Sequence, residues 1–227
     1  VAGLVTRRRR HELLPSTVRE IMRAELAPTI SVCVPAYNEA AVVVDTIRSL
    51  LSLDYPRVEV VVANDGSTDT TLQVATTLAR TRPWIRVISV PAEDGRPKPG
   101  APIVRAFHSG LKELDASPSV IVKLDADTSM EPDHFERLLE AFAAEPRLGI
   151  ASGTCLEERD GRWEPVAVAP GHVRGAARAY RRECLEEVLP LEERVGWDGI
   201  DGFKATVRGW TTRMLPELSF YHHRPVG

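Results

Sequence analysis

The chain has 227 residues, 43% of them hydrophobic and 27% charged, with a formal net charge of −3. That length can bury a full core in one large domain, and the balance is that of a globular chain rather than a disordered one. The charge gives no drive toward nucleic acid, the three cysteines (Cys33, Cys155, Cys184) are too few and scattered for a disulfide framework or a zinc site, and no apolar run of about 18 residues exists to span a membrane.

Residues 1–29 read as a basic leader. No apolar segment follows Arg7-Arg8-Arg9-Arg10, so it is not a signal peptide. The arginines are either a solvated arm or a peripheral contact with an anionic membrane face. With scattered cysteines, the expected setting is reducing and cytoplasmic, at the inner face of the membrane if the arm binds there. Val18–Leu26 has a weak helical period. Ile30–Pro35 is then a short apolar strand, and Glu39–Leu51 has apolar residues at helical spacing until Tyr55-Pro56 breaks it. Val58–Ala63 reads as a buried strand. Ser67-Thr68-Asp69 opens a helix running to about Arg80. Trp84–Val90 is a third strand, Pro91–Pro99 a Pro/Gly-rich loop, Ala101–Leu114 a helix and Ser119–Leu124 a fourth strand.

Strand and helix alternate four times in this stretch, which predicts a parallel sheet with right-handed crossovers and helices on both faces. In such sheets ligands bind beyond the carboxyl ends of the strands. Asn64-Asp65, the Pro91–Pro99 loop and Asp125-Ala126-Asp127 all fall at those ends. Paired carboxylates at a strand mouth suit a hard divalent cation that also takes phosphate oxygens. On its own, Asp-x-Asp is equally a solvated acidic turn.

The second part is less regular. Pro132 suits the first turn of a helix to about Ala144. Leu148–Thr154 and Trp163–Val168 read as strands, with Asp160-Gly161 as a turn between them. Ala176–Val188 reads as a charged helix. Gly196-Trp197-Asp198-Gly199-Ile200-Asp201 leads into a helix ending near Gly209, and a last strand, about Leu218–His222, closes on His222-His223-Arg224.

Three segments carry a resemblance: Val32-Cys33-Val34-Pro35-Ala36-Tyr37-Asn38-Glu39, then Val61-Val62-Ala63-Asn64-Asp65-Gly66-Ser67-Thr68-Asp69, then Lys123-Leu124-Asp125-Ala126-Asp127. In this order they resemble the family 2 glycosyltransferases, inverting hexosyltransferase-type enzymes with the nucleotide-sugar-binding GT-A fold. The resemblance covers about Ile30 to Arg224. It implies an α/β fold with a mainly parallel central sheet flanked by helices and a smaller mixed acceptor-side region. Residues 30–128 would form the nucleotide-sugar half, and 129–227 the acceptor and catalytic-base half of the same domain. Two positions depart from the family: Asn64 stands where an aspartate is usual, and His108 where many relatives have asparagine.

The resemblance assigns roles residue by residue. Pro35, Tyr37, Glu39, Asn64 and Asp65 would line the nucleotide pocket. Glu39 could equally be a helix N-terminal carboxylate, and Asp65 a turn former. Lys98 and Arg105 would add positive charge, although Lys98 could be a solvated loop residue. Asp125 would reach the ribose or the metal, and Asp127 would bind Mn²⁺ or Mg²⁺ directly. One of His222 and His223 would complete the metal shell, since successive strand side chains face opposite ways. The general base would be Asp198 or Asp201, one helical turn apart, with Asp198 in the better register; both could instead cap the helix. Trp163, His172, Arg174, Tyr180 and Trp197 would shape the acceptor side.

The expected reaction moves a sugar from a nucleoside-diphosphate sugar, UDP preferred, to a hydroxyl on a glycan, lipid-linked or small-molecule acceptor. The chain's length leads to the expectation of a single transfer per encounter. A catalytically silent sugar-nucleotide-binding protein is the alternative. A nucleotidylyltransferase would need a Gly-rich basic loop where Pro35–Glu39 stands.

Overall fold

A computed structural model describes residues 29–80, 82–91, 99–114, 118–169 and 171–224. The arginine run, the weak helix at Val18–Leu26 and Lys98 lie outside these residues. Nine strands form one sheet among the described residues: β1 Ile30–Ala36, β2 Val58–Asn64, β3 Ile85–Ser89, β4 Val120–Leu124, β5 Thr128–Met130, β6 Leu148–Arg159, β7 Arg162–Pro165, β8 Ala177–Arg181 and β9 Thr211–His222. The helices are α1 Val43–Leu51, α2 Thr71–Ala79, α3 Ala101–Leu111, α4 His134–Ala144, α5 Arg182–Val188 and α6 Trp197–Val207. None of them is long and apolar enough to cross a membrane.

The sheet runs β3-β2-β1-β4-β8-β6-β9-β5, with β7 paired to β6. The first four strands in this order are parallel, as the strand–helix alternation requires. β8 enters antiparallel beside β4, and the second half is mixed. Both faces of the parallel part are covered, and the period-2 alternation of strand side chains divides them. Val32, Val34, Val120, Val122 and Leu124 pack into one cluster with α1 and α4, while Cys33 and Ile121 pack into another with α3, α5 and α6. Helix α3 presses closely against the sheet at Gly110, where a Cβ would lie 3.2 Å from Cys33 Sγ. All three cysteines are free and buried.

Three elements differ from expectation. Ala176–Val188 is not one helix: Ala177–Arg181 forms β8 and only Arg182–Val188 is helical. Alanine and arginine favour a helix locally, but this segment fills the slot between β4 and β6, and pairing on both sides overrides propensity. Ala177 and Ala179 pack on one face of the sheet and Tyr180 on the other. The short strand β5 was not expected, and β9 starts seven residues earlier than Leu218, at Thr211. The bulge near Gly153 lets β6 and β9 pair over this length, and a Cβ on Gly153 would sit 2.5 Å from the Leu218 carbonyl oxygen.

Helix α4 buries Glu136, with neither carboxylate oxygen hydrogen-bonded. Burial pushes its carboxyl up to about 7. The folded protein therefore holds a proton on Glu136 that the unfolded chain releases near 4.5, so the stability tied to this proton is present below 4.5 and is lost as pH rises through about 7. Glu136→Gln should be more stable than wild type at pH 8 by about 3 kcal/mol, with no gain near pH 4.5, in urea denaturation at both values. A gain independent of pH would contradict this.

Candidate active site

The site is built at the carboxyl end of β4. After Leu124 the chain turns sharply: the Asp125 N–H donates to the Ala176 carbonyl at 2.7 Å, and the Thr128 hydroxyl donates to the Asp125 carbonyl at 2.8 Å. The Thr46 hydroxyl of α1 donates to the Ala126 carbonyl at 2.8 Å. This turn sends β5 back along β9 in a register that pairs Thr128 with His222, which sets the His222 ring beside Asp127. His222 Nε2 lies 3.4 Å from Asp127 Oδ1.

Asp125, Asp127 and His222 each bring one ligand atom, all within 4.8 Å of one another. Two carboxylates and an imidazole can hold a divalent cation. Their electrostatics differ although they share one turn. Burial raises the Asp125 carboxyl, against the opposing charge of the Lys123 ammonium that hydrogen-bonds it. Burial would raise Asp127 too, but His222 and Arg224 outweigh it and hold this carboxyl below its usual range. His222 is raised by its hydrogen bond to Asp127, against burial. The second histidine goes elsewhere. His223 Nε2 meets the Ser129 hydroxyl at 2.8 Å and its ring packs edge-on to Trp163, so His222 and not His223 faces the carboxylates. Strand alternation separates them.

Two clefts meet at Asp125 and Ile103. The first, about 260 Å³, is lined by Pro35, Tyr37, Glu39, Asp65, Asp125, Asp127 and Arg224, among others. Arg105 holds the Asp65 carboxylate through two contacts of 2.9 and 3.1 Å, so its charge fixes Asp65 instead of lining the cleft. Asn64, expected in the nucleotide pocket, is instead buried: it is 4% exposed, does not line this cleft, and its Oδ1 has no hydrogen-bond partner. His108 also lies apart and accepts the Leu191 N–H at 3.2 Å, which makes it a packing contact under the 189–195 loop. Arg224 reaches over the cleft mouth, with Nε 3.1 Å from Asp127 Oδ2 and Nη2 on Glu39. The sequence pointed to His222 and His223 but not to Arg224 next to them or to Lys123, a buried lysine two residues before the acidic pair.

The second cleft, about 430 Å³, is lined by Lys123, His172, Arg174, Trp197, Asp198 and His222, among others. Gly196 has a φ of +78°, and α6 begins directly after it. In the first turn Asp198 Oδ2 accepts the Gly175 N–H at 3.1 Å and lies 3.4 Å from His172 Nε2. A side chain on Gly175 would meet the Trp197 ring at 2.8 Å, so only glycine lets this loop approach.

Asp201 does not share this cleft. It is 1% exposed, with Oδ1 2.6 Å from Arg178 Nη2 and Oδ2 2.5 Å from the Tyr180 hydroxyl. The buried Arg178 on β8 requires this carboxylate, which turns Asp201 inward although it lies one helical turn from Asp198. Tyr180 is likewise in the core, not on the acceptor side. Trp163 is 39% exposed on β7 against Tyr221 and His223, outside the cleft. Asp201→Ala should therefore cost about 3–5 kcal/mol by leaving Arg178 uncompensated. Asp198→Ala should cost about 1 kcal/mol, the net worth of one hydrogen bond. Urea denaturation of both variants checks this, and equal losses would contradict the division.

Comparison with known proteins fits this architecture. A family model described as glycosyl transferase family 2 matches residues 31–168. The poly-beta-1,6-N-acetyl-D-glucosamine synthase of Staphylococcus epidermidis is 32% identical over 124 residues, which is 55% of this chain and 28% of that protein. The Staphylococcus aureus synthase is 30% identical over 124 residues. The chain thus spans 28% of the length of these relatives, so its length does not bear on how many sugars are added. A mannosyltransferase from Pyrobaculum calidifontis, solved with GDP-Man and Mn²⁺, superposes with a TM-score of 0.69 at 20% identity, over 99% of this chain and 66% of that one. S. aureus TarS 1–349 with UDP-GlcNAc superposes at 0.66 with 22% identity, over 88% of this chain and 59% of that one. These likenesses bear out the expected GT-A fold.

Proposed function

Because this chain belongs to glycosyl transferase family 2, we propose that it is a metal-dependent inverting transferase that moves a sugar from a nucleoside-diphosphate sugar to an acceptor hydroxyl. The observation that carries this reading is the junction of two clefts at Asp125: one holds the acidic turn and Asp65, the other holds Asp198.

In this reading the nucleoside lies along Pro35, Tyr37 and Asp65, and the Asp65 carboxylate, fixed by Arg105, accepts hydrogen bonds from base or ribose. Asp125, Asp127 and His222 would hold a divalent cation, and the imidazole nitrogen would favour Mn²⁺ over Mg²⁺, which prefers all-oxygen ligands. When bound, such an ion neutralises charge on the departing nucleoside diphosphate. Arg224 adds positive charge at the mouth of the same cleft, and the buried Lys123 ammonium does so from beneath Asp125. Asp198, held by the Gly175 N–H, takes the proton from the acceptor hydroxyl, which attacks the anomeric carbon from the side opposite the leaving diphosphate. One displacement inverts that carbon. Trp197 lines the second cleft beside Asp198, and Ile103 lines both clefts. The similarity to poly-N-acetylglucosamine synthases and to TarS with UDP-GlcNAc favours UDP-N-acetylglucosamine as donor and a growing glycan as acceptor.

Two outcomes follow. UDP with Mn²⁺ should stabilise the folded protein by about 2.7 kcal/mol at a hundredfold excess over Kd, more than GDP does, and UDP without metal should have a smaller effect. Thermal unfolding with each nucleotide, with and without Mn²⁺, checks this; no stabilisation by any nucleotide would contradict the donor site. Asp198→Asn should lower turnover by about 10²–10⁴-fold while UDP binding is retained. Full transferase activity in that variant would remove Asp198 as the base.

A further inference from the structure

His222 has two polar faces, and only one of them belongs to the acidic turn. Nε2 faces Asp127, while Nδ1 lies 3.4 Å from Glu157 Oε1. The sheet register imposes this. His222 of β9 pairs with Thr128 of β5 on one side and with Glu157 of β6 on the other. Directly paired residues on neighbouring strands project from the same face, so Glu157 and His222 meet by backbone pairing and not by chance side-chain reach. Glu157 is 3% exposed, a burial that a carboxylate tolerates only with partners. Two arginines also approach it: Arg174 Nη2 lies 3.7 Å from Oε1 and Arg159 Nη2 lies 3.9 Å from Oε2.

We propose that Glu157 is a positioning residue for the cation site: it accepts the Nδ1–H of His222 and thereby presents the Nε2 lone pair to a cation held by Asp125 and Asp127. A neutral imidazole carries one proton, and the group that accepts it decides which nitrogen is left to ligate. This rests on the reading of His222 as a cation ligand. Cys155 lies on the same face two residues before Glu157, and Cys155, Glu157 and His222 themselves form a compact trio. A thiolate suits softer ions, whereas the hard, oxygen-preferring ions of diphosphate chemistry go to the aspartate pair.

The test is a Mn²⁺ titration of the whole chain, with free Mn²⁺ read by electron paramagnetic resonance, for wild type, His222→Gln, Glu157→Gln and Cys155→Ser. His222→Gln should bind Mn²⁺ much more weakly. Glu157→Gln, which keeps the side-chain volume, should weaken it by about 10–100-fold, the range for lost partners of metal-bound histidines. Cys155→Ser should bind as wild type. Wild-type affinity in Glu157→Gln beside a weakened His222→Gln would overturn the inference alone. Wild-type affinity in His222→Gln would remove the premise and the inference with it. Equal losses in Glu157→Gln and Cys155→Ser would make Glu157 a ligand of a thiol-containing site and overturn its positioning role. A measurement independent of variant folding is the ¹⁵N spectrum of the Mg²⁺-loaded wild type, in which His222 should carry its proton on Nδ1; a proton on Nε2 would overturn the proposal.

Discussion

The turn from Asp125 to Thr128 is the joint on which the site depends. Its backbone is tied to the 175–176 loop through Asp125 and Ala176, to α1 through Ala126 and Thr46, and to β9 through the His223 N–H on the Asp127 carbonyl at 2.8 Å. Each tie satisfies a buried backbone group that would otherwise cost about 1–3 kcal/mol. Together they fix where two carboxylates leave the sheet. The loop bearing Gly175, helix α1 and the end of the last strand all meet at this turn, and Asp125 lines both clefts.

The charges around this joint alternate. Lys123 sits beneath Asp125, Arg105 holds Asp65, Arg224 bridges Glu39 and Asp127, and Arg174 approaches Glu157. Burying a carboxylate is costly unless an opposite charge or hydrogen bonds compensate it, and these neighbours supply that compensation. The same environment separates the two members of the acidic pair, with Asp125 pushed up by burial and Asp127 held down by His222 and Arg224. Arg178 with Asp201 shows the other use of this chemistry: a buried ion pair that ties β8 to α6 and lines neither of the two clefts that meet at Asp125.

The half of the sheet from β1 to β4 was legible in the sequence because its elements are local. Valine-rich strands, helix-spaced apolar residues and polar strand ends follow one another in chain order, and β1 to β4 appear within a few residues of where the pattern puts them. The other half depends on long-range pairing. Ala177–Arg181 has the composition of a helix and becomes a strand because β4 and β6 leave a slot for it. Asp198 and Asp201 are alike by spacing, and only the buried Arg178, invisible in a linear pattern, separates them. His222 and His223 are divided by strand alternation, but which of them faces Asp127 is set by the register of β5 against β9. Glu157 gave no local signal, since it meets His222 across 65 residues of chain.

The central claim is that the acidic turn and His222 hold a divalent cation against a nucleoside diphosphate. Crystals grown with UDP-GlcNAc and Mn²⁺, measured for anomalous scattering from manganese, test it most directly. The account predicts one strong manganese peak in contact with Asp127 and His222, with diphosphate density extending from it along Pro35 and Asp65. A peak seated instead between Cys155 and Glu157, or nucleotide density with no manganese near Asp127, would contradict it.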